Sequence, residues 1–133
     1  MMFVNLPVAD VGRSRSFFTR LGFVFDPLFC DSGTVCMPIN AQCRVMLHRA
    51  SRFAGYAASA VADPTRGRET VVALAASSRG AVDSLADAAL GSGGTPLRDP
   101  EDLGFLYCRT FCDLDGHAWE VVWMDPAHLS RPT

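Results

Sequence analysis

"CDLDGHAWEVVW", Cys112–Trp123, joins a turn rich in aspartate and glycine to a short apolar run with a single carboxylate, Glu120, inside it. Period-two alternation, the mark of a strand, puts Trp119, Val121 and Trp123 on one face and Glu120, Val122 and Met124 on the other. Burying one large aromatic removes on the order of 150–250 Å² from water, so the tryptophan face is core. An ionised carboxylate without a partner is expensive to bury, so the opposite face is either wet or supplies something positive.

Working outward, "GFLYCRTFC" (Gly104–Cys112) reads as the preceding strand, with a short one around "TPLR" (Thr95–Arg98) before it. Further upstream, "ETVVALAA" (Glu69–Ala76) is a β-branched strand. Ser78 then caps a helix whose Val82, Leu85, Ala86, Ala89 and Leu90 form an apolar stripe, ended by "GSGG" (Gly91–Gly94). The order is β-α-β-β-β.

The first half repeats it. "FVNLPV" (Phe3–Val8) is a strand, Asp10 an N-cap, and Val11, Ser14, Phe17, Phe18 and Leu21 follow at helical spacing, with Gly22 at the helix end. Three strand-like runs follow: "FVFDPLFC" (Phe23–Cys30), "GTVCMPIN" (Gly33–Asn40) and "CRVMLHRA" (Cys43–Ala50). Self-similarity on this scale is a stronger fold signal than any one element. Between the halves, Phe53, Tyr56, Ala57, Ala60 and Val61 are spaced for a short amphipathic helix stopped before Pro64.

The chain of 133 residues suits a single domain: module one 1–50, a connecting helical segment 51–68, module two 69–125 and a tail 126–133. Its twelve basic residues, all arginine, are scattered, and the net charge is -2, which argues against a nucleic-acid or anionic-membrane surface. No apolar stretch is long enough to span a bilayer and no signal peptide is visible, so the expected location is the cytoplasm. Five cysteines, none in CxxC spacing, indicate neither a disulfide framework nor a zinc ribbon.

"NLPVAD" (Asn5–Asp10) and "SFFTRLGF" (Ser16–Phe23), with Gly93–Gly94 and "FCDLDGHAWEVVWMD" (Phe111–Asp125), make the chain resemble the vicinal oxygen chelate superfamily. That is the glyoxalase, bleomycin-resistance and extradiol-dioxygenase group, and the resemblance runs from Phe3 to Asp125. It is nearest to small bacterial glyoxalase-like proteins described as predicted lactoylglutathione lyases. It implies an α+β fold of two βαβββ modules forming curled mixed sheets around a concave cleft. It also implies divalent-metal ligands on the first and last strands of each module, and Glu120 occupies one of those places.

The strand phases agree. If Val4, Leu6 and Val8 pack under the first helix, then Phe3, Asn5 and Pro7 face the cleft. By the same rule Arg44, Met46 and His48 point inward, as do Glu69, Val71 and Ala73. The other three ligand places fall on Asn5, Met46 and Val71. A neutral amide, a soft thioether and an aliphatic side chain are a poor set for a divalent ion. A displaced set of His48, Glu69 and Glu120, one pleat or about 6.5–7 Å along each strand, would restore three ligands for Zn, Ni, Mn or Fe.

Structural readings stand beside these. His48 near Arg49 and Arg52 is a rim histidine, His117 a turn residue, His128 part of a tail, Glu69 a solvated strand start, and Asn5 an amide bonding backbone. An arginine beside Glu120, with Arg109 and Arg44 as candidates, would keep it ionised; an apolar surround would raise its pKa toward general-base use.

Two functions follow. The first is a glyoxalase-like protein binding a small organic molecule, with metal-dependent lyase or isomerase chemistry in which Glu120 moves the proton. The alternative is a non-catalytic binder of bleomycin-resistance type whose metal site is lost, using Asn5, Arg44, Met46, His48, Tyr107, Arg109 and Phe111 toward the ligand, with Phe3 and Tyr56 as further stacking aromatics. A purely structural or regulatory module is a third reading with no marked partner surface. A two-fold homodimer is the expected assembly.

Overall fold

Met2–Val8 forms the first strand, β1, and Asp10 ends it by capping helix α1, Val11–Arg20, its carboxylate accepting from the Arg13 N–H at 3.0 Å. The computed structural model describes residues 1–129 and divides into two compact units, Met1–Asp63 and the chain from Pro64 onward. α1 closes at Leu21, and Gly22 follows with φ +98°, a conformation that favours glycine.

In the first unit β2, Thr34–Asn40, and β3, Cys43–Arg49, complete a mixed sheet of order β1-β3-β2, in which β1 and β3 run parallel. Leu6, Val8, Val35, Met37, Val45 and Leu47 make one apolar face under α1, whose Phe17 and Phe18 meet edge to face at 5.0 Å. Helix α2, Ala50–Ala57, follows β3 directly and packs against β1 and β3.

The stretch expected as a strand at Phe23–Cys30 is instead a loop with one turn of 3-10 helix, Pro27–Phe29. Asp26 caps that turn through the Leu28 N–H, and Pro27 has no N–H to offer a ladder. Arg44 holds the loop to the sheet through Asp26 at 2.8 Å.

The second unit repeats the plan. β4, Val71–Ala75, leads to α3, Arg79–Gly91, capped by Ser78 through the Ala81 N–H at 3.0 Å. Two short strands, β5 (Thr95–Pro96) and β6 (Glu101–Asp102), precede β7, Leu106–Cys112, and β8, Ala118–Met124. β4 runs parallel to β8, and β7 antiparallel to it, so β4-β8-β7 matches β1-β3-β2. Phe111 and Trp119, paired across β7 and β8, stack at 6.3 Å in the core under α3, with Val121, Val82, Ala86 and Ala89. Helix α4, Pro126–Leu129, ends the described chain; its His128 stacks on Phe105 at 4.0 Å. No helix among the described residues is long and apolar enough to cross a membrane.

The turn between β7 and β8 is held from inside. Asp113, 5% exposed, accepts from the backbone N–H of Asp115 and His117 and from the Trp119 indole N–H at 2.9–3.0 Å. Gly116, at φ +84°, lets the chain reverse.

Candidate functional site

Each sheet has a second face away from its long helix. In the first unit Asn5, Met46 and Cys36 lie in line across β1, β3 and β2, and Pro7, His48 and Thr34 form the next row. His48 is buried, not the rim residue its position at the strand end suggested. Tyr56 of α2 meets its ring edge-on at 5.0 Å, so the helix that begins after Arg49 covers it.

Both His48 nitrogens are engaged: Nδ1 with Thr34 Oγ1 and Nε2 with Asn5 Oδ1, each at 2.8 Å. Thr34 also accepts from Arg52 Nη1 at 2.9 Å, and the same guanidinium nitrogen reaches both oxygens of Asp31 at 2.7 and 2.9 Å. Burial, helped by the Arg52 charge, pushes the His48 pKa below its ordinary value. Asn5, His48, Phe53, Tyr56 and Ala57 line an open pocket of about 530 Å³, within the size range of small-molecule sites.

In the second unit Glu120 pairs with Ala73 on β4 and Thr110 on β7, on the face away from α3. Its carboxylate accepts from Arg98 Nη2 at 2.7 Å, not from Arg109 or Arg44. Thr110 positions that arginine: its hydroxyl accepts from the Arg98 N–H at 3.1 Å and donates to the Arg98 carbonyl at 3.2 Å. With Arg98 about half exposed, such a pair contributes little to stability. Arg98→Ala is expected to lower unfolding free energy by less than about 1 kcal/mol, measured by urea denaturation.

Tyr107, Arg109 and Phe111 lie on the opposite face. Antiparallel partners share a face, and Thr110, not Arg109, is the partner of Glu120. Tyr107 donates to Asp83 at 2.6 Å, Arg109 reaches Asp83 and Asp87 of α3 at 3.1 and 2.7 Å, and Phe111 is core. Arg109 also borders a smaller hollow of about 250 Å³ with Leu97, Arg98 and Thr110. Arg44 is committed to Asp26 and lies 5.6 Å from the Phe29 ring centre. Glu69 is exposed and precedes β4, which starts at Val71, so it is no part of that strand's inward face.

Arg98, Thr34, Arg52 and Asp113 were not singled out from the sequence. Only Asp113 had a local signal, its place at the head of an Asp-Gly turn before an indole.

A model described as "Bleomycin resistance protein-like N-terminal" matches residues 1–40. A hypothetical protein of S. aureus is 25% identical over 92% of both chains, with a TM-score of 0.79. A glyoxalase/bleomycin resistance protein/dioxygenase family enzyme from Burkholderia phytofirmans superimposes with a TM-score of 0.77 at 14% identity, over 92% of this chain and 96% of that one. The fold is the one these glyoxalase/bleomycin resistance/dioxygenase structures share, and the first forty residues match a bleomycin-resistance-like segment. The bleomycin resistance determinant encoded on transposon Tn5 shares the fold at 17% identity and TM-score 0.63, over 93% of this chain and 97% of that one. No curated protein matches the sequence.

The metal expected of many vicinal oxygen chelate proteins does not fit this chain. Among the described residues no three His, Cys, Asp or Glu side chains gather as a ligand set. Asn5, Met46 and Val71 supply no anionic or imidazole donor, and the Glu120 carboxylate is bound to Arg98. The displaced set fares no better. His48 has spent both nitrogens on Thr34 and Asn5, and Glu69 stands outside its strand.

Proposed function

We propose that this protein binds a small, planar organic molecule without a metal ion and without turning it over, in the manner of a sequestering protein. The observation that carries the reading is the pocket beside α2. Phe53, Tyr56 and Ala57 give it apolar walls, and Asn5 and His48 give it a polar floor. Tyr56 is two-thirds exposed, an aromatic surface available for stacking.

The lyase reading of the same fold needs Glu120 as a base. A guanidinium 2.7 Å away already occupies that carboxylate, which works against its reaching a substrate proton. Incubation with Zn, Ni, Mn or Fe followed by desalting is expected to leave no stoichiometric metal. The methylglyoxal–glutathione hemithioacetal is expected not to be consumed. Hemithioacetal turnover that Glu120→Gln abolishes would overturn the reading in favour of the lyase.

The reading includes a two-fold homodimer. β1 and β4 each pair with one strand only within their sheets among the described residues, and a strand edge without a ladder partner is a place where a second copy could add. Light scattering is expected to give about twice the 14.4 kDa chain mass.

A further inference from the structure

The row Asp31–Arg52–Thr34–His48–Asn5 crosses three strands and α2, and it has a direction. Arg52 can only donate, so at Thr34 it occupies a lone pair of Oγ1. Thr34 is 4% exposed, and among the described residues His48 Nδ1 is the one acceptor within reach of its hydroxyl proton. Nδ1 therefore accepts, and the imidazole carries its proton on Nε2. That proton goes to Asn5 Oδ1 at 2.8 Å. An amide whose oxygen is held in this way turns its NH₂ the other way. Asn5 is exposed and lines the pocket, and its two N–H groups have no hydrogen-bond partner there among the described residues.

Resting on the pocket reading above, we infer that Asn5 is the specificity-determining group of the pocket. Its NH₂, oriented through His48 by Thr34 and Arg52, selects aromatic ligands that present an acceptor oxygen, a carbonyl or carboxylate, and discriminates against cationic or donor-bearing ones. The chain of bonds makes the floor a fixed donor. A free asparagine would offer either end; this one offers only nitrogen. Apolar walls supply affinity that is indifferent to the ligand's polar group, whereas a ligand donor aimed at the amide leaves two donors face to face. Thr34 and Arg52 act as positioning residues, since they reach the ligand only through His48 and Asn5.

Three naphthalene probes of similar shape test this by protein-observed NMR titration: 2-acetylnaphthalene, 2-ethylnaphthalene and the naphthalen-2-ylmethylammonium ion. The ketone is expected to bind about tenfold more tightly than the ethyl compound, the scale of one well-made hydrogen bond, and the ammonium ion most weakly. Asn5→Asp keeps an acceptor for His48 Nε2 but turns a carboxylate oxygen to the pocket, so the order is expected to invert in favour of the ammonium ion. Thr34→Val releases the imidazole proton from its fixed nitrogen. It is expected to shrink the ketone-to-ethyl ratio while leaving the ethyl affinity within about twofold, which a merely structural role would not do. If all three probes bind wild-type protein alike, or Asn5→Asp leaves the order unchanged, the assignment of Asn5 is wrong and the pocket reading stands. If no probe binds, or binding is indifferent to Tyr56→Ala, the pocket reading itself fails and takes this inference with it.

Discussion

Asp113→Ala is expected to lower the stability of the protein by about 3 kcal/mol, read as a lower urea midpoint at unchanged slope. One carboxylate serves three donors, with Oδ1 taking the Asp115 and His117 N–H groups and Oδ2 the indole of Trp119, which is fully buried. Alanine strands the indole N–H where water does not replace the partner, and it unpins the turn that sets the β7–β8 register. Asp113→Asn is expected to recover part of the loss. Its oxygen can keep the two backbone bonds, but its NH₂ then faces the indole N–H, donor against donor. Burial raises the Asp113 pKa, so as the pH falls this group takes a proton in the folded state before it does so in the unfolded chain. It therefore does not drive acid unfolding. Asp102 does contribute in that sense: paired with Arg79, its pKa is drawn down to about 2, so its stabilisation is present above the ordinary value of 3.8 and is lost as the pH falls toward 2.

Much of the fold was legible because local chemistry and pattern agree. Asp10 and Ser78 cap the helices that their spacing marks, Gly22 takes the positive φ expected of a helix-ending glycine, and Trp119 and Val121 fill the core face given by alternation. The loop Phe23–Cys30 looked like a strand because its aromatics alternate; a capping Asp26 beside Pro27 outweighed that pattern. The faces of β7 were harder. Tyr107, Arg109 and Phe111 share a phase, but which face that phase occupies depends on where the turn places Cys112 opposite Ala118. A slip of one residue exchanges the faces.

The polar groups of the candidate site were least legible, since they are tertiary. Arg98 reaches Glu120 from 22 positions away, by way of Thr110. His48 lies between β1 and β2 with Tyr56 of α2 edge-on to its ring, so its burial depends on a helix that follows it in the chain. In both places a side chain that local sequence left open is closed by a residue whose own local context gives no hint of the contact.

Thr34→Val, nearly isosteric, is expected to cost about 2 kcal/mol and to change how stability varies with pH. The cost comes from leaving Nδ1 of a buried imidazole without a donor, while Arg52 keeps Asp31. The pH effect follows from His48. Burial holds its folded pKa below the ordinary 6.5, so the folded protein resists a proton that the unfolded chain accepts. The His48 contribution is thus fully present above about pH 6.5 and declines as the pH falls below it. His48→Gln removes the titration but keeps a side chain able to accept from Thr34 and donate to Asn5. Between about pH 7 and about pH 5 the wild type is therefore expected to lose stability relative to His48→Gln. In Thr34→Val the two imidazole nitrogens no longer face a fixed donor and a fixed acceptor, so protonation at Nδ1 loses one source of opposition and the decline is expected to flatten. Equal pH slopes for wild type and His48→Gln would show that His48 titrates alike in the folded and unfolded states. The one-directional hydrogen-bond chain that orients Asn5 would then lose its energetic support.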